Sequence, residues 1–559
     1  MKPSRLSTAL ILAARAATYH LILRQRRFLR ACEDPEPIQR RVLFDILKRQ
    51  AATAFGRDHG FASIRTIADF RRQVAVGPYE RLEPYIARMM LGETSALLAD
   101  DRLRMFALTS GSTAARKHIP ITDRYLAAYS RGWNLWGIRA YRDHRPRRLV
   151  LRPIVQMVGD MEEYRTTAGT PCGNASGLTA TIQRRLIRRL YIVPPESGKM
   201  KDSQARYRLA LRMAIGTPVA LFSAANPSTL LALARTLGEH AERLVKDLHD
   251  GTFARADLPD FVRTAIGPKL KANPKRAREL SGILERNGTL KPSDVWPAET
   301  ILLATWTGGS MGPYLKQLPA FYGDAPIRNL GLLASEGRFT IPFADDTSAG
   351  VLDIWSHYYE FIPEDEIDSV QPTVLEAHEV IEGKNYFLIP TTVAGLYRYD
   401  IADVVRVVGF QGRTPLIEFL GKGKRFSSLT GEKISEHQVG RAIQAAIDAE
   451  GITPGTVSLL PRWHDVTPNY VLAFEIPESD AAAWPRFAAV VERKLRELNT
   501  EYDAKRESGR LGPVGLAALK PGTWQTWDAA RLAKSGGSPE QYKHPLLIGD
   551  LAVAKALLG

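Results

Sequence analysis

Short apolar segments that end in small and hydroxyl-bearing residues constrain the fold of this sequence most. Three of them occupy residues 105–108, 301–306 and 327–333, and helical patterns such as 125–141 and 269–288 alternate with the apolar segments along the chain. Apolar strands that alternate with helices form parallel sheets, and ligands bind where such strands end. The sequence therefore predicts an α/β fold with a binding site at these strand ends.

The first apolar segment leads into a hydroxyl-rich turn, Thr109-Ser110-Gly111-Ser112-Thr113, which Lys117 follows. Short side chains let backbone N–H groups approach an anion, hydroxyls add donors, and the lysine adds positive charge. This pattern predicts a phosphate-binding loop. It is not the G-x-x-x-x-G-K-[ST] motif, because neither Ser nor Thr follows Lys117. A polar turn with a solvated lysine is the competing interpretation.

The composition is typical of a large globular protein. The chain has 559 residues, of which 45% are hydrophobic and 24% charged, enough for several domains. Its two cysteines, Cys32 and Cys172, are not spaced like metal ligands, and so few cysteines fit a reducing, cytoplasmic compartment. The net charge of +16 fits a phosphorylated co-substrate, an acidic partner or an anionic membrane surface. No nucleic-acid-binding motif accompanies this charge.

The N-terminal segment, residues 6–23, is apolar but is interrupted by Arg15 and His20. These interruptions argue against a transmembrane helix, and the lack of a small-residue cleavage site argues against a secretory signal. We expect an amphipathic helix packed on the body of the protein. Weak peripheral membrane contact through this helix is the alternative.

A basic, glycine-rich stretch, Gly421-Lys422-Gly423-Lys424, divides the sequence. Beyond it, helical patterns at 436–448 and 483–498 flank an apolar strand pattern at 470–476. We therefore predict a large N-terminal domain over 1–420, a hinge at 421–424 and a small α+β domain over 425–559.

Four motifs occur in a fixed order: T-S-G-S-T…K at 109–117, A-S-E-G at 334–337, G-L-Y-R-Y-D-I-A-D-V at 395–404, and Lys543 after a glycine-rich loop. This order resembles the adenylate-forming superfamily of acyl-CoA synthetases, peptide-synthetase adenylation domains and luciferases. Phe55-Gly56-Arg57, Tyr359-Glu360-Phe361-Ile362-Pro363 and Gln541-Tyr542-Lys543 look like the plant auxin-responsive acyl acid–amido synthetase family. The closer resemblance covers nearly the whole chain, from about residue 40 onward.

The resemblance implies the adenylate-forming, firefly-luciferase-like fold: a large α/β domain with a β-barrel subdomain and a small, mobile α+β domain. It also implies a two-step reaction with ATP and Mg²⁺, in which a carboxylic acid becomes an acyl-adenylate and an amine, usually an amino acid, then displaces AMP. Two alternatives remain open at this stage. One is an acid:CoA ligase of the same superfamily, and the other is a non-catalytic binding protein that uses the basic surface.

The resemblance also assigns roles to individual residues. Thr109 to Thr113 and Lys117 would hold the β- and γ-phosphates of ATP, and Asp403 would bind both ribose hydroxyls. Glu336 would bind Mg²⁺, Ser335 would lie near the adenine or the acyl carbonyl, and Lys543 would reach the α-phosphate and the reacting carboxylate. Lys422 and Lys433 are secondary nucleotide contacts, and Trp133, Trp136 and Arg139 would border the acyl-acid pocket.

The sequence departs from the superfamily pattern in two places. Ala114-Ala115 stands where the superfamily usually has a glycine, so we expect a stiffer tip of the phosphate loop. Lys424 stands in the hinge where the superfamily often has aspartate. We therefore do not assume that the small domain rotates about this hinge in the way usual for the superfamily.

Overall fold

The structure is a computed structural model. It describes residues 5–109, 117–144, 152–181, 188–200, 202–253, 258–367, 369, 371–423, 426–452, 454–464, 467–475, 483–535 and 544–559. The chain divides into two compact units: unit 1 comprises Met1–Leu108 and His118–Leu420, and unit 2 comprises Thr109–Lys117 and Gly421–Gly559.

The helices of the described residues are α1 Arg5–Ala31, α2 Glu36–Gln50, α3 Ala54–Asp58, α4 Ile67–Gln73, α5 Glu83–Met90, α6 Asp123–Asp143, α7 Ala175–Thr181, α8 Ser203–Ala214, α9 Pro227–Glu239, α10 Ala241–Asp250, α11 Asp260–Ile266, α12 Pro274–Asn287, α13 Pro292–Val295, α14 Gly312–Leu315, α15 Pro319–Tyr322, α16 Glu436–Glu450, α17 Trp484–Leu498, α18 Thr500–Glu507, α19 Thr523–Ser535 and α20 Leu551–Leu558.

The strands are β1 Leu103–Thr109, β2 Lys117–Thr122, β3 Ile154–Gln156, β4 Tyr164–Arg165, β5 Pro171–Gly173, β6 Leu221–Ser223, β7 Leu302–Thr305, β8 Ile327–Asn329, β9 Leu333–Ala334, β10 Gly337–Arg338, β11 Thr340–Ile341, β12 Gly350–Leu352, β13 Tyr358–Pro363, β14 Leu375–Glu376, β15 Asn385–Thr391, β16 Asp403–Gln411, β17 Thr414–Lys422, β18 Phe426–Ser427, β19 Ile434–Ser435, β20 Val457–Arg462, β21 Asn469–Glu475 and β22 Gly515–Leu519.

A parallel sheet of order β3-β6-β7-β8 lies in unit 1. All four residues of β7 are buried, as expected for a parallel strand whose two faces are covered. The predicted strand at 301–306 is therefore confirmed as β7, and the apolar segment 327–333 supplies β8 and the start of β9. A second sheet, of order β2-β1-β5-β4, contains the strand that leads into the predicted phosphate loop.

A seven-stranded sheet of order β11-β12-β17-β16-β15-β13-β14 forms the last part of unit 1. It corresponds to the predicted β subdomain. The apolar and aromatic pattern of Leu396 to Tyr399 predicts one more strand, and this is wrong, because the segment is irregular apart from a single bridge between Tyr399 and Gly77. Gly395 (φ 90°) and Arg398 (φ 43°) have left-handed backbone conformations, which interrupt an extended strand.

The N-terminal helix is confirmed as α1. Its C-terminal half packs on the body of unit 1, where Gln25 and Phe28 are fully buried and the Phe28 ring lies 5.1 Å from that of Trp355 in an edge-to-face contact. Within the part of the chain that the structure describes, no helix combines the length and the apolar character needed to cross a membrane.

Unit 2 has a core of its own. Strands β20, β21 and β22 form its main sheet, in which β20 and β21 are antiparallel and β21 and β22 parallel. Helix α16 begins with a capping box, in which Ser435 accepts from the Gln438 N–H and the Gln438 side chain accepts from the Ser435 N–H. Buried side chains such as Tyr470, Phe487 and Val491 fill the space between this sheet and the helices.

Candidate active site

Glu336 lies in the tight turn between β9 and β10, with Ser335 beside it. Its side chain is buried, with 8% of the residue exposed. It makes no hydrogen bond or ion pair with any residue that the structure describes. A carboxylate that has no such partner and keeps some exposure is free to bind a cation. The turn therefore presents a carboxylate whose position suits a metal ligand.

Three buried tyrosines lie within range of the charge of this carboxylate: Tyr79, Tyr125 and Tyr399. Burial raises the pKa of each phenol well above its ordinary value, and the negative charge of Glu336 raises these pKa values further. The phenols therefore stay protonated and uncharged at neutral pH.

Tyr79 connects this cluster to the start of β2. Its hydroxyl accepts from the His118 N–H at 2.9 Å and lies 3.3 Å from the His118 carbonyl oxygen. Lys117, the half-buried first residue of β2, precedes His118 in the chain. The Tyr79 hydroxyl thus fixes the backbone next to the lysine that we predict to bind phosphate.

The segment around Tyr399 is fixed by main-chain bonds from residue 77. The Gly77 N–H donates to the Arg398 carbonyl at 3.2 Å, and the Asp400 N–H donates to the Gly77 carbonyl at 2.9 Å. The sequence indicates only a helix break at residues 76–80. Nothing in that pattern predicts that Tyr79 and Tyr399 lie close to Glu336, because the contacts form between distant parts of the chain.

A buried ion pair holds the G-L-Y-R-Y segment against β13. The Arg398 guanidinium lies 2.7 Å from Glu360, which is fully buried, and also donates to the Val74 carbonyl at 2.7 Å. Arg71 contacts the same carboxylate at 2.8 Å. Two of the motifs that carry the resemblance, around residues 360 and 398, are thus joined directly, and the pair determines where the following residues begin β16.

Asp403 is the first residue of β16 and has 3% of its surface exposed. Ala402, just before it, has a left-handed backbone (φ 58°), and its N–H donates to the Asp400 carboxylate at 2.8 Å. This local bond stabilises an unfavourable backbone conformation immediately before the aspartate. The ribose-binding role of Asp403 stays a prediction.

The three residues predicted to border the acid pocket lie on α6 in different surroundings. Trp136 is buried, and its indole N–H donates to the Asn329 carbonyl at 2.8 Å, which is a structural contact. Arg139 is paired with Asp143 at 2.9 Å. Trp133 is half-buried, and the Arg338 guanidinium lies 4.7 Å from its ring centre. Their role in binding an acid stays a prediction.

Arg338, which the sequence analysis missed, is buried two residues after Glu336. It donates to the carbonyls of Leu330 and Thr340, and burial lowers the pKa of its guanidinium to about 10. No pattern in the sequence distinguishes this arginine from the many exposed ones, since its burial depends on space above Gly132 in α6.

The remaining predicted residues are distributed over both units. Thr109 is the half-buried last residue of β1, and Lys422 is the last residue of β17. Lys433 lies in unit 2 with a left-handed backbone (φ 49°). The predicted residues that lie outside the described residues are Ser110, Gly111, Ser112, Thr113 and Lys543. No group of three or more metal-ligating side chains occurs among the residues that are described.

Comparison with known proteins identifies the family. Residues 24–327, 350–422 and 437–552 match the N-terminal, central and C-terminal domains of the GH3 family. This chain belongs to the GH3 family. Among curated relatives, an indole-3-acetic acid-amido synthetase of Oryza sativa subsp. indica is 25% identical, over 91% of this chain and 88% of the relative. A jasmonoyl–L-amino acid synthetase of Oryza sativa subsp. japonica is also 25% identical, over 92% of each chain.

Solved structures show the same fold for this GH3-family chain. The acyl acid amido synthetase GH3.15 superposes with a TM-score of 0.64 at 22% identity, covering 97% of this chain and 96% of that one. A 2-hydroxyisobutyryl-CoA ligase superposes with a TM-score of 0.51 at 14% identity, over 96% and 91% of the two chains. The predicted family and the adenylate-forming fold are confirmed.

Proposed function

We propose that this GH3-family chain is an ATP-dependent acyl acid–amido synthetase. It converts a carboxylic acid and ATP to an acyl-adenylate and pyrophosphate, and then transfers the acyl group to an amine, with an amino acid as the favoured acceptor. The observation that carries the proposal is the buried Glu336 carboxylate, which has no hydrogen-bond or ion-pair partner among the described residues, in a chain of this family.

The chemistry explains why such a site is needed. A carboxylate is a poor electrophile because its oxygen is a poor leaving group, and attachment of AMP corrects this. The attack of one anion on another builds up negative charge, which cationic groups must stabilise. Lys117 and the hydroxyl loop at 109–113 would hold the β- and γ-phosphates, Asp403 the ribose, and Lys543 the α-phosphate and the carboxylate.

Glu336 fits a magnesium ligand. Mg²⁺ prefers carboxylate oxygen and is usually held by one or two carboxylates together with substrate phosphates and water, so a cage of several side chains is not required. When bound, the ion would neutralise charge on the phosphates of ATP. The three protonated tyrosines around Glu336 leave its negative charge uncompensated, which favours a cation at this turn.

Exchange of labelled pyrophosphate into ATP tests the first half-reaction, with a panel of carboxylic acids that includes aromatic ones. We expect at least one acid to support exchange and amino acids to be acylated afterwards. Product formation with CoA in place of amino acids would establish the acid:CoA ligase instead. Absence of exchange with every acid, despite ATP binding, would refute the proposal.

The first prediction concerns Glu336. We expect Glu336→Gln to reduce pyrophosphate exchange by roughly 100-fold or more, because an amide of the same size has no charge to offer a cation. A raised requirement for added Mg²⁺ should accompany the loss, measured by titrating the metal at fixed ATP. Glu285→Gln, on the exposed face of α12, is the matched control and should behave like the parent protein. Parent-like magnesium dependence of Glu336→Gln would exclude the metal role.

A further inference from the structure

A serine, a histidine and an aspartate form a hydrogen-bonded chain within unit 2. His544 Nδ1 lies 2.8 Å from an Asp528 carboxylate oxygen, and its Nε2 lies 2.8 Å from Ser458 Oγ. Ser458 is on β20 and Asp528 on α19, whereas His544 directly follows Lys543 in the sequence. The order of contacts is that of a hydrolase triad, so its function must be decided from the surroundings of the serine.

Ser458 is not placed to act as a nucleophile. The residue is fully buried, and its hydroxyl donates to the Pro545 carbonyl at 2.6 Å. A hydroxyl has one proton, so this bond requires Ser458 to accept from an N–H at Nε2 of His544. Nδ1 contacts Asp528 and Nε2 contacts Ser458, so both ring nitrogens of His544 have a hydrogen-bond partner. The chain of contacts therefore holds the histidine in place.

Two tryptophans of α19 limit the orientation of the histidine ring. The ring centre of Trp524 lies 4.6 Å from that of His544, and the ring centre of Trp527 lies 5.7 Å away, both in edge-on arrangements. The His544 side chain is only 14% exposed. Rotation of the imidazole would break both polar contacts and disturb this aromatic packing, so the side chain has one favoured orientation.

The chain after His544 is fixed along β20. The Leu459 N–H donates to the Leu546 carbonyl at 2.8 Å, and the Ile548 N–H donates to the Leu459 carbonyl at 3.1 Å. Glu436, at the start of α16, accepts from the Leu546 N–H at 2.7 Å. His544 therefore begins a stretch that is anchored by both main-chain and side-chain bonds, and the next residue toward the N-terminus is Lys543.

We propose that His544 is a positioning residue for the adenylation step, and that its bonds to Asp528 and Ser458 fix the point at which the chain leads to Lys543. The inference rests on the proposed function, in which Lys543 acts on the α-phosphate and the carboxylate. A catalytic side chain displaced by about 1 Å can lose roughly 100-fold in rate. A histidine that anchors the adjacent peptide acts on the rate through the lysine, without contacting substrate itself.

The test compares the two half-reactions in the full-length protein. We expect His544→Ala to lower kcat for pyrophosphate exchange by roughly 100-fold, with KM for ATP within about twofold of the parent value. Transfer of the acyl group from supplied acyl-adenylate to an amino acid should be nearly unchanged, since that step does not require Lys543. His464→Ala, an exposed histidine of the same unit, is the matched control.

Milder variants guard against loss of folding. Ser458→Ala and Asp528→Asn each remove one contact, and we expect intermediate losses in kcat for exchange at a parent-like thermal midpoint. His544→Gln keeps an N–H donor and should recover part of the rate. Equal losses in exchange and in acyl transfer would indicate general destabilisation and overturn the proposal.

A double-mutant cycle with Lys543→Ala separates this inference from the proposed function. If His544 acts through Lys543, Lys543→Ala/His544→Ala should be no slower in adenylation than Lys543→Ala alone. If the double variant instead loses adenylation rate by the product of the two single-variant losses, the positioning role is overturned. If Lys543→Ala leaves the rate of pyrophosphate exchange unchanged, the catalytic role of the lysine is refuted. If Lys543→Ala abolishes exchange but His544→Ala exchanges at the parent rate, only the inference about His544 is refuted.

Discussion

Buried carboxylates in this chain differ sharply in how they are satisfied. Glu432 accepts from the N–H groups of Leu429 and Thr430 and from the Tyr470 hydroxyl, and Glu360 is paired with two arginines. Both are fully buried structural residues. Glu336 has no hydrogen-bond or ion-pair partner of this kind among the described residues. The contrast between residues of the same type separates a carboxylate that stabilises the fold from one available to bind a ligand.

The second prediction concerns Asp403. If its carboxylate accepts hydrogen bonds from the ribose, Asp403→Ala should weaken ATP binding about tenfold or more, since hydrogen bonds to a charged group contribute roughly 1.5–3 kcal/mol each. Isothermal titration calorimetry with ATP measures the effect directly. Asp324→Ala, at an exposed position of unit 1, is the control. An unchanged affinity for ATP would rule out the ribose contact.

The sequence pointed to Glu336 and Asp403 as candidates, because each lies within a motif whose residue types match a known chemistry, and their roles stay predictions. It was not sufficient for Tyr79, Arg338 or His544. The contacts of these residues depend on partners far along the chain, such as Trp133 for the arginine and Ser458 for the histidine. Local pattern carries no information about such pairings.

At the scale of elements, the Glu360–Arg398 pair joins β13 to the turn before β16. The third prediction is that Arg398→Met lowers the free energy of unfolding by about 3 kcal/mol, at the lower end of the range for breaking a buried pair, because Arg71 still contacts Glu360. Urea unfolding measures this change. Glu360→Leu/Arg398→Met should lose less than the sum of the two single variants, since no charge is then left unpaired at this pair.

The control for this prediction lies on α4. Arg72 forms an exposed pair with Asp69, and its side chain is 69% exposed. Arg72→Met should therefore change the free energy of unfolding by less than about 1 kcal/mol. If Arg398→Met had an equally small effect, the buried pair would not be the contact that holds the G-L-Y-R-Y segment.

The elements themselves were predictable to different degrees. Apolar strands such as β7 were identified because all their side chains are buried and the pattern is continuous. The segment 396–399 has the same apolar and aromatic character, yet it is not a strand. The ion pair of Arg398 and the left-handed backbone at 395 and 398 override local β preference, and neither effect is visible in the composition of the segment.

At the scale of the whole molecule, the hydrophobic cores follow the division into two units. One large core draws on side chains from Phe28 to Ile417, and another draws on side chains from Leu429 to Leu547. A chain of 559 residues exceeds the size of a single core, so more than one core is expected, and the domain bounds at 1–420 and 425–559 stay a prediction. The pKa values of buried side chains within each unit, in contrast, depend on the folded surroundings and cannot be read from composition.

Lys505 of α18 shows this dependence most clearly. Burial lowers the pKa of its ammonium group to about 7, and the positive charges of Arg510 and Lys433 lower it further, whereas Glu501 and Glu432 oppose the shift. A base whose pKa is depressed on folding binds its proton more weakly in the folded state than in the unfolded chain. The lysine thus makes the stability of unit 2 dependent on pH.

The fourth prediction follows from the sign of this shift. Between pH 7 and the ordinary pKa of 10.5, the unfolded chain holds the Lys505 proton and the folded unit does not, so the free energy of unfolding should rise with pH across this window. Below pH 7 both states hold the proton, and the contribution of Lys505 no longer changes. Lys505→Met should therefore flatten the rise, as measured by urea unfolding at several pH values from 6 to about 10, whereas Lys520→Met, at an exposed position, should retain it. If the free energy of unfolding depends on pH in the same way in Lys505→Met and in the parent protein, the lysine binds its proton equally well in the folded and unfolded states. The pH dependence would then come from other charged groups of unit 2.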